Sequence, residues 1–329
     1  MKIAFVGKGG AGKTTLAALF SQHLAASGRT VLAVDADINQ NLAVALGGDP
    51  DEAALAPTLG EHLEHIKTFL RGDNPRISST VAMVKTTPPG PGSRLLRVDE
   101  SNPIWDRCVR PVGGVRLAST GGFAESDLGV ACYHSKVGAV ELILNHLLDA
   151  DDEYVVVDMT AGADAFASGL FTRFDHTFVV CEPTVRSVGV YRQYRDYAAD
   201  FDVAVSVVGN KVADGDDEAF LRGQVGDDLL ACVGVSRHVR AAEQGHAHPI
   251  GELEPANAAV LDTMRGVVDA TVRHWARFTR QAVEFHLRNA NAWANAKTGE
   301  DLAAQVDPEF VLDPTASAAA AGTAVFHQP

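Results

Sequence analysis

The opening residues constrain this chain most: Met1-Lys2-Ile3-Ala4-Phe5-Val6-Gly7-Lys8-Gly9-Gly10-Ala11-Gly12-Lys13-Thr14-Thr15-Leu16. Ile3 to Val6 is a short apolar run that reads as a buried strand. A glycine-rich turn follows, and Lys13-Thr14-Thr15 opens the spacing Leu16, Leu19, Phe20, Leu24 of an amphipathic helix. Strand, glycine turn and helix in that order are the context of a phosphate-binding loop, and Gly7-x4-Gly12-Lys13-Thr14 meets its consensus in full. Such a loop curls so that the N–H groups from Gly9, Gly10, Ala11 and Gly12 to Lys13, Thr14 and Thr15 converge with the helix N-terminus on an anion. Lys13 then reaches the β- and γ-phosphates, and the Thr14 hydroxyl is placed to ligate Mg²⁺.

The loop also carries a second lysine, Lys8, in Lys8-Gly9-Gly10-Ala11-Gly12-Lys13-Thr14-Thr15. In this it resembles the deviant P-loop of the MinD/ParA/ArsA/nitrogenase-iron-protein class of ATPases, where the extra lysine crosses a dimer interface to the partner's phosphates. The resemblance implies ATP or ADP as ligand, Mg²⁺ as its metal, and an ATP-sandwiched homodimer whose sites Lys8 completes. Helix one is predicted from about residue 13 to 27, stopping at Gly28. The second strand, Thr30 to Val34, ends in Asp35-Ala36-Asp37. Acidic residues at the C-terminal end of a parallel strand sit where ligands bind in an open α/β sheet. The same aspartates would serve equally to cap the next helix. The resemblance implies that Asp37 orients the attacking water while Asp35 supports Mg²⁺ through water.

Glu153 to Val157 is a further predicted strand that delivers Asp158, with Gly162 at the D-x-x-x-G spacing. This looks like a Walker B aspartate holding Mg²⁺ through its waters, followed by a switch II glycine whose amide senses the γ-phosphate. Strands at 177–181 and 203–208 come next, the second leading into Asn210-Lys211. By resemblance Asn210 reads the adenine edge and Lys211 lies beside it; the alternative is an ordinary turn asparagine.

A chain of 329 residues, 46% apolar and 21% charged, can bury a sizeable core as one α/β domain with or without a small appendage. The fold expected is a mostly parallel, doubly wound sheet with helices on both faces. No apolar run approaches the length of a bilayer span, and the first residues read as a core strand rather than a signal peptide, so a cytoplasmic location is expected. Lysines and arginines number 28 against 42 aspartates and glutamates, a formal charge of −14. Such a surface repels nucleic-acid phosphate and anionic lipid, so neither is expected as a partner. Cys108, Cys132, Cys181 and Cys232 are scattered without a C-x-x-C and predict no disulfide framework.

The segment 71–113 is rich in proline and glycine and reads as a loop. Thr87-Pro88-Pro89-Gly90-Pro91-Gly92-Ser93, followed by Val115-Arg116-Leu117-Ala118-Ser119-Thr120-Gly121-Gly122, resembles one branch of the class. That branch is the CooC-type accessory ATPases of carbon monoxide dehydrogenase maturation. The likeness runs over roughly residues 1–255 and implies a client protein that is a metalloenzyme. Where the nickel-insertion relatives carry C-x-C, this chain offers Cys132 and His134. Two copies would give a Cys₂His₂ set for Zn²⁺ or Ni²⁺ at a dimer interface. The alternative is a helix-capping turn with a buried cysteine and a solvated histidine. An iron–sulfur site would need a second cysteine after Gly162, and Ala163-Asp164-Ala165-Phe166-Ala167 has none.

After the domain at 1–255, the segment 256–300 reads as a helix or helix pair. Val260, Met264, Val267, Thr271, Trp275, Phe278, Ala282 and Phe285 step by threes and fours as one apolar stripe. It is expected to lie across the sheet, or else to project and dock the client. The alanine-rich tail 301–329 is expected to be extended or disordered, and it lacks the basic helix by which MinD binds membrane. Two rival roles within the class are a ParA/MinD-like positioning ATPase and an ATPase of the arsenite-pump or tail-anchored-protein-targeting type.

Overall fold

The computed structural model describes residues 1–122, 137–162, 166 and 169–314. An eight-stranded sheet runs in the order β10 (Leu229–Gly234), β9 (Val205–Val212), β8 (His176–Cys181), β1 (Lys2–Gly7), β7 (Glu153–Asp158), β2 (Thr30–Asp35), β5 (Val115–Ser119) and β4 (Val109–Val112). Its ladders are parallel except that of β4 with β5. A separate short parallel pair joins β3 (Leu96–Arg97) to β6 (Leu147–Leu148). The central strands read as continuous apolar runs because both faces of the sheet are covered. β1, β7 and β8 are buried along their whole length.

One face is covered by α1 (Lys13–Ala26), α2 (Leu42–Ala45) and α10 (Pro255–Ala270). There Phe5, Phe20 and Phe178 meet with centroids 5.5–6.0 Å apart, the tilted geometry aromatic rings prefer. The other face carries α4 (Leu63–Arg71), α5 (Pro103–Cys108), α6 (Gly138–His146), α7 (Val185–Ala198) and α8 (Gly215–Val225). Two short helices, α3 (Pro50–Leu55) and α9 (Arg237–Glu243), lie in the connections after α2 and after β10 and pack Ala53 and Val239 at the margin of the α1 face.

Segment 71–113 is not the simple loop its composition suggests, because it holds β3, α5 and β4. Asn102 accepts hydrogen bonds from the N–H groups of Ile104 and Trp105, and Pro103 occupies the first turn, a strong local start signal. Gly113 and Gly114, both with left-handed φ (56° and 83°), turn β4 back onto β5. That is the two-residue hairpin turn in which both central residues need φ > 0.

Segment 256–300 is built mainly of two helices, α10 and α11 (Trp275–Asn289), and the apolar stripe is not continuous. α10 buries Val260, Leu261, Met264 and Val268 with α1, whereas Phe278 and Phe285 of α11 pack on the opposite side of the sheet. The chain crosses between faces at Thr271–His274, where Arg273 donates to the carbonyls of Asp149 and Ala150. α11 runs into a π-helical turn (Ala290–Ala294) and a last short helix, α12 (Asn295–Thr298). The start of the tail is also corrected. Leu302, Gln305 and Leu312 are buried, because this strap packs on 76–97: Gln305 donates to Ala82 O and Arg97 to Pro314 O.

Candidate functional site

Every parallel strand ends at the same sheet edge, and the predicted site residues gather there. β1 turns into α1 through a loop whose shape only glycine permits at two places. Gly7 has φ +144°, and a Cβ on it would meet the Val180 carbonyl oxygen at 2.5 Å; Gly12 has φ +96°, and its Cβ would lie 2.1 Å from Asn210 Nδ2. Gly12 is also the N-cap of α1, where no side chain caps the helix and no acidic residue sits in the first turn. Among the described residues, the N–H groups of Lys13, Thr14 and Thr15 thus start a helix with their partial positive charge unanswered. The Lys13 ammonium bends back to within 3.3 Å of the Lys8 carbonyl. Burial lowers its pKa, opposed by the charges of Asp158 and Asp37.

Register brings the two principal carboxylates together. Asp35 pairs with Asp158 across β2 and β7, which places their backbones about 5 Å apart. The Thr14 hydroxyl donates to Asp158 Oδ2 at 2.6 Å. The other oxygen, Oδ1, is buried with no hydrogen-bond partner among the described residues. Burial, then the charge of Asp35, pushes the Asp158 pKa well above the ordinary carboxylate value. Burial pushes Asp35 up to about 7, although the N–H groups of Leu42 and Asp37 both donate to it. A buried carboxylate oxygen with no donor, a hydroxyl beside it and a second carboxylate in register form an all-oxygen, doubly acidic set. That is the donor chemistry Mg²⁺ takes, so these residues fit the ion.

Asp35 is expected to support Mg²⁺ through water; here both of its oxygens are engaged by backbone N–H groups of the following loop, which it fixes against the site. Asp37 Oδ1 accepts from the backbone N–H and side-chain amide of Asn39, closing a local turn. Gly162 follows Asp158 at φ +79° with open space around it.

The far wall comes from β8 and β9. Asn210 is buried and donates from Nδ2 to the Ala11 carbonyl at 2.7 Å, so its amide ties β9 to the phosphate loop. Lys211, in the left-handed region at φ 58°, donates to the Gly10 carbonyl at 2.7 Å and to Glu182 Oε1 at 2.9 Å. The Lys8 ammonium lies 3.8 Å from Glu182 Oε2 and donates to the Gly9 carbonyl. Glu182 therefore gathers two of the predicted lysines, and the sequence reading passes over it. Its signal is the one that singles out Asp35: an acid directly after an apolar strand, in Val180-Cys181-Glu182-Pro183.

Cys132 and His134 lie outside the described residues. Among the described residues no group of three or more His, Cys, Asp or Glu side chains is placed to hold a metal. No helix there is long and apolar enough to cross a membrane.

Comparison with known proteins agrees with this geometry. The chain is 28% identical over 246 residues to the carbon monoxide dehydrogenase accessory protein CooC of Rhodospirillum rubrum, covering 74% of this chain and 87% of that protein. It is 27% identical over 247 residues to an uncharacterized ATP-binding protein of Methanocaldococcus jannaschii, covering 74% of this chain and 88% of that one. Among solved structures, the septum site-determining protein MinD of Pyrococcus horikoshii, complexed with Mg-ADP, superposes with a TM-score of 0.55 at 17% identity, covering 82% of this chain and 96% of that one. The cell division ATPase MinD of Pyrococcus furiosus gives 0.54 at 18% identity, covering 81% and 98%. These likenesses show a P-loop NTPase fold of the MinD/ParA type. The model of the CobQ/CobB/MinD/ParA nucleotide-binding domain matches residues 3–287, and the chain belongs to that family.

Proposed function

We propose that this protein is a Mg²⁺-dependent ATPase that works as a nucleotide-switched homodimer and serves as an accessory factor in the maturation of a metalloenzyme. The observation that carries the ATPase reading is the Asp35–Asp158 pair, buried in register beside Thr14 and the uncapped start of α1. It is a costly arrangement for a protein to keep without a cation and an anion to satisfy it. The support for the maturation role is the likeness to CooC over three quarters of the chain.

In this reading the loop amides and Lys13 hold the β- and γ-phosphates, and Thr14 and Asp158 would hold Mg²⁺. When bound, Mg²⁺ would supply neutralisation of the phosphate charge. Asp37 orients the attacking water, and Asp35 keeps the loop that bears it in place. Lys8 leaves Glu182 and reaches the phosphates of the second copy. Asn210 and Lys211 hold the loop from the side where the base would lie. Loss of the γ-phosphate then shifts the segments 37–41 and 158–162 between two arrangements that a client reads.

The test is calorimetry with ATP and Mg²⁺, followed by turnover measured against protein concentration. Wild-type specific activity should rise with concentration as dimers form. Lys8→Ala should bind ATP as before and lose that rise, with turnover down about 10²-fold. Unchanged turnover in this variant overturns the trans-acting lysine, and no uptake of adenine nucleotide overturns the ATPase reading. Co-expression with a carbon monoxide dehydrogenase should raise its metal-loaded active fraction; no change there overturns the maturation role.

A further inference from the structure

A second cavity lies away from the phosphate loop, where segment 71–113 meets the C-terminal helices. Its volume is 470 Å³, and Leu63, Val81, Met83, Val84 and Trp293 supply most of its apolar wall. That is the size and character of a pocket for a single small molecule. The polar part of the lining is one-sided: Lys67, Lys85 and Lys297 all face it, and among the described residues no aspartate or glutamate does. In a chain of net charge −14, such a lining departs sharply from the average surface.

Two of the three lysines are built into the wall, while Lys297 is exposed at its rim. The side chains of Lys67 and Lys85 are only 14% and 16% exposed. Lys67 has one carboxylate partner, Glu64 at 3.1 Å; Lys85 has Glu141 at 4.0 Å. The Lys297 ammonium sits over the Trp293 ring, 5.6 Å from its centroid. An ammonium carries three donors, so each keeps capacity for an anion inside the cavity. Partly desolvated lysines against an apolar wall bind anions more strongly than surface lysines do.

Two further observations point to a ligand. Trp293 enters the cavity from the π-helical turn Ala290–Ala294, whose shape Asn289 braces by accepting from Trp293 Nε1 at 2.9 Å. Single π-turns are rare and gather at functional sites because they re-aim one side chain. Asn289, Trp293, Lys297 and Thr298 also lie past residue 287, where the match to the family's nucleotide-binding domain ends. One wall of the cavity thus comes from residues beyond the matched domain, while Leu63, Lys67, Met83, Val84 and Lys85 come from within it.

We propose that this cavity binds a small organic anion, with an aromatic or branched aliphatic body lying against Trp293, Met83 and Val84 and its carboxylate, sulfonate or phosphate group held by Lys67, Lys85 and Lys297. The probe is 8-anilinonaphthalene-1-sulfonate, with the uncharged N-phenyl-1-naphthylamine as its control, titrated into the full chain without nucleotide. The sulfonate should saturate at a single molecule per chain and quench tryptophan emission. In the variant Lys67→Gln/Lys85→Gln/Lys297→Gln its affinity should fall about tenfold or more, while affinity for the neutral probe changes less than about twofold. Equal loss for both probes, or no loss for the sulfonate, overturns the proposal. Should the triple variant not fold, Trp293→Phe decides. Trp105 and Trp275 remain as reporters, and persistence of the full quench in that variant overturns the site. ATP binding by the triple variant should stay at the wild-type level, and the probe titration needs no nucleotide, so failure here is distinct from failure of the ATPase reading.

Discussion

The two ends of the central sheet treat buried aspartate in opposite ways. At the end where the parallel strands start, Asp149 is fully buried and accepts from Lys2 Nζ at 2.7 Å, with Arg273 at 3.2 Å. Lys2 in turn lies over the rings of Trp275 and Phe278, 4.5 and 4.8 Å from their centroids. Burial alone would raise the Asp149 pKa, but Lys2, the chain's amino group and Arg273 together hold it well below the usual carboxylate range. At the other end Asp35 and Asp158 are just as buried, and burial wins: both pKa values go up. Among the described residues, Asp158 has a hydroxyl and the field of Lys13 to help it, and one of its oxygens has no partner. One end is closed by complete charge pairing, while the other keeps an unpaid electrostatic demand that a ligand can meet. Burial of a charge marks a site only where the protein itself leaves it unanswered.

Breaking the closed end should give the largest effect. Asp149→Asn takes the carboxylate from Lys2 and the chain's amino group and weakens the hold on Arg273, and should cost about 3–5 kcal/mol of unfolding free energy, read by denaturant titration, with ATP affinity of the folded protein unchanged. Breaking the open end should leave stability alone and strike chemistry instead. Lys13→Ala should lower turnover by about 10²–10³-fold with an unchanged melting temperature; a large drop in that temperature would mean the lysine holds the fold together. Asp158→Asn sharpens the contrast, because it removes a carboxylate the fold holds at a cost. The nucleotide-free variant should melt higher at pH 8 than the wild type and lose Mg²⁺-stimulated ATP binding, and a lower melting temperature would erase the distinction between the ends.

The two ends also pull in opposite directions with pH. The depressed Asp149 contributes stability that is complete above the ordinary carboxylate pKa and lost as pH falls through its folded value. The raised Asp35 does the reverse: its proton favours the folded state in acid, and that stabilisation fades as pH rises from the ordinary value toward about 7. A cation held at Asp158, in register beside Asp35, would favour the ionised form of both carboxylates, so Mg²⁺-dependent ATP affinity should rise between about pH 6 and 8, by calorimetry at fixed Mg²⁺. A flat profile would place the titration elsewhere.

The phosphate loop was fully legible, because its geometry is local: one strand, one turn and one helix start, each with its own residue signal. Asp35 and Asp158 were legible as individuals, but their adjacency was not, since it depends on β7 entering the sheet between β1 and β2. The same reason hides the link from Asn210 and Lys211 back to the carbonyls of Ala11 and Gly10. Gly113-Gly114 carried a plain hairpin signal that the proline-rich surroundings masked. The break after α10 was harder, because Thr271 and Trp275 preserve the helical spacing through it. Periodicity records which residues are apolar, and cannot say that Met264 and Phe278 serve opposite faces of one sheet.

The sheet's borders have a consequence for how copies of this chain can meet. β4 is short and carries Pro111, which has no amide hydrogen to offer, and β10 follows β9 with two shifts of register. Neither border presents the straight, evenly spaced row of donors and acceptors that a strand from another molecule could extend. Both lateral borders are thus poor templates for a further strand, so a second copy would find its contacts more readily on loops and helix ends.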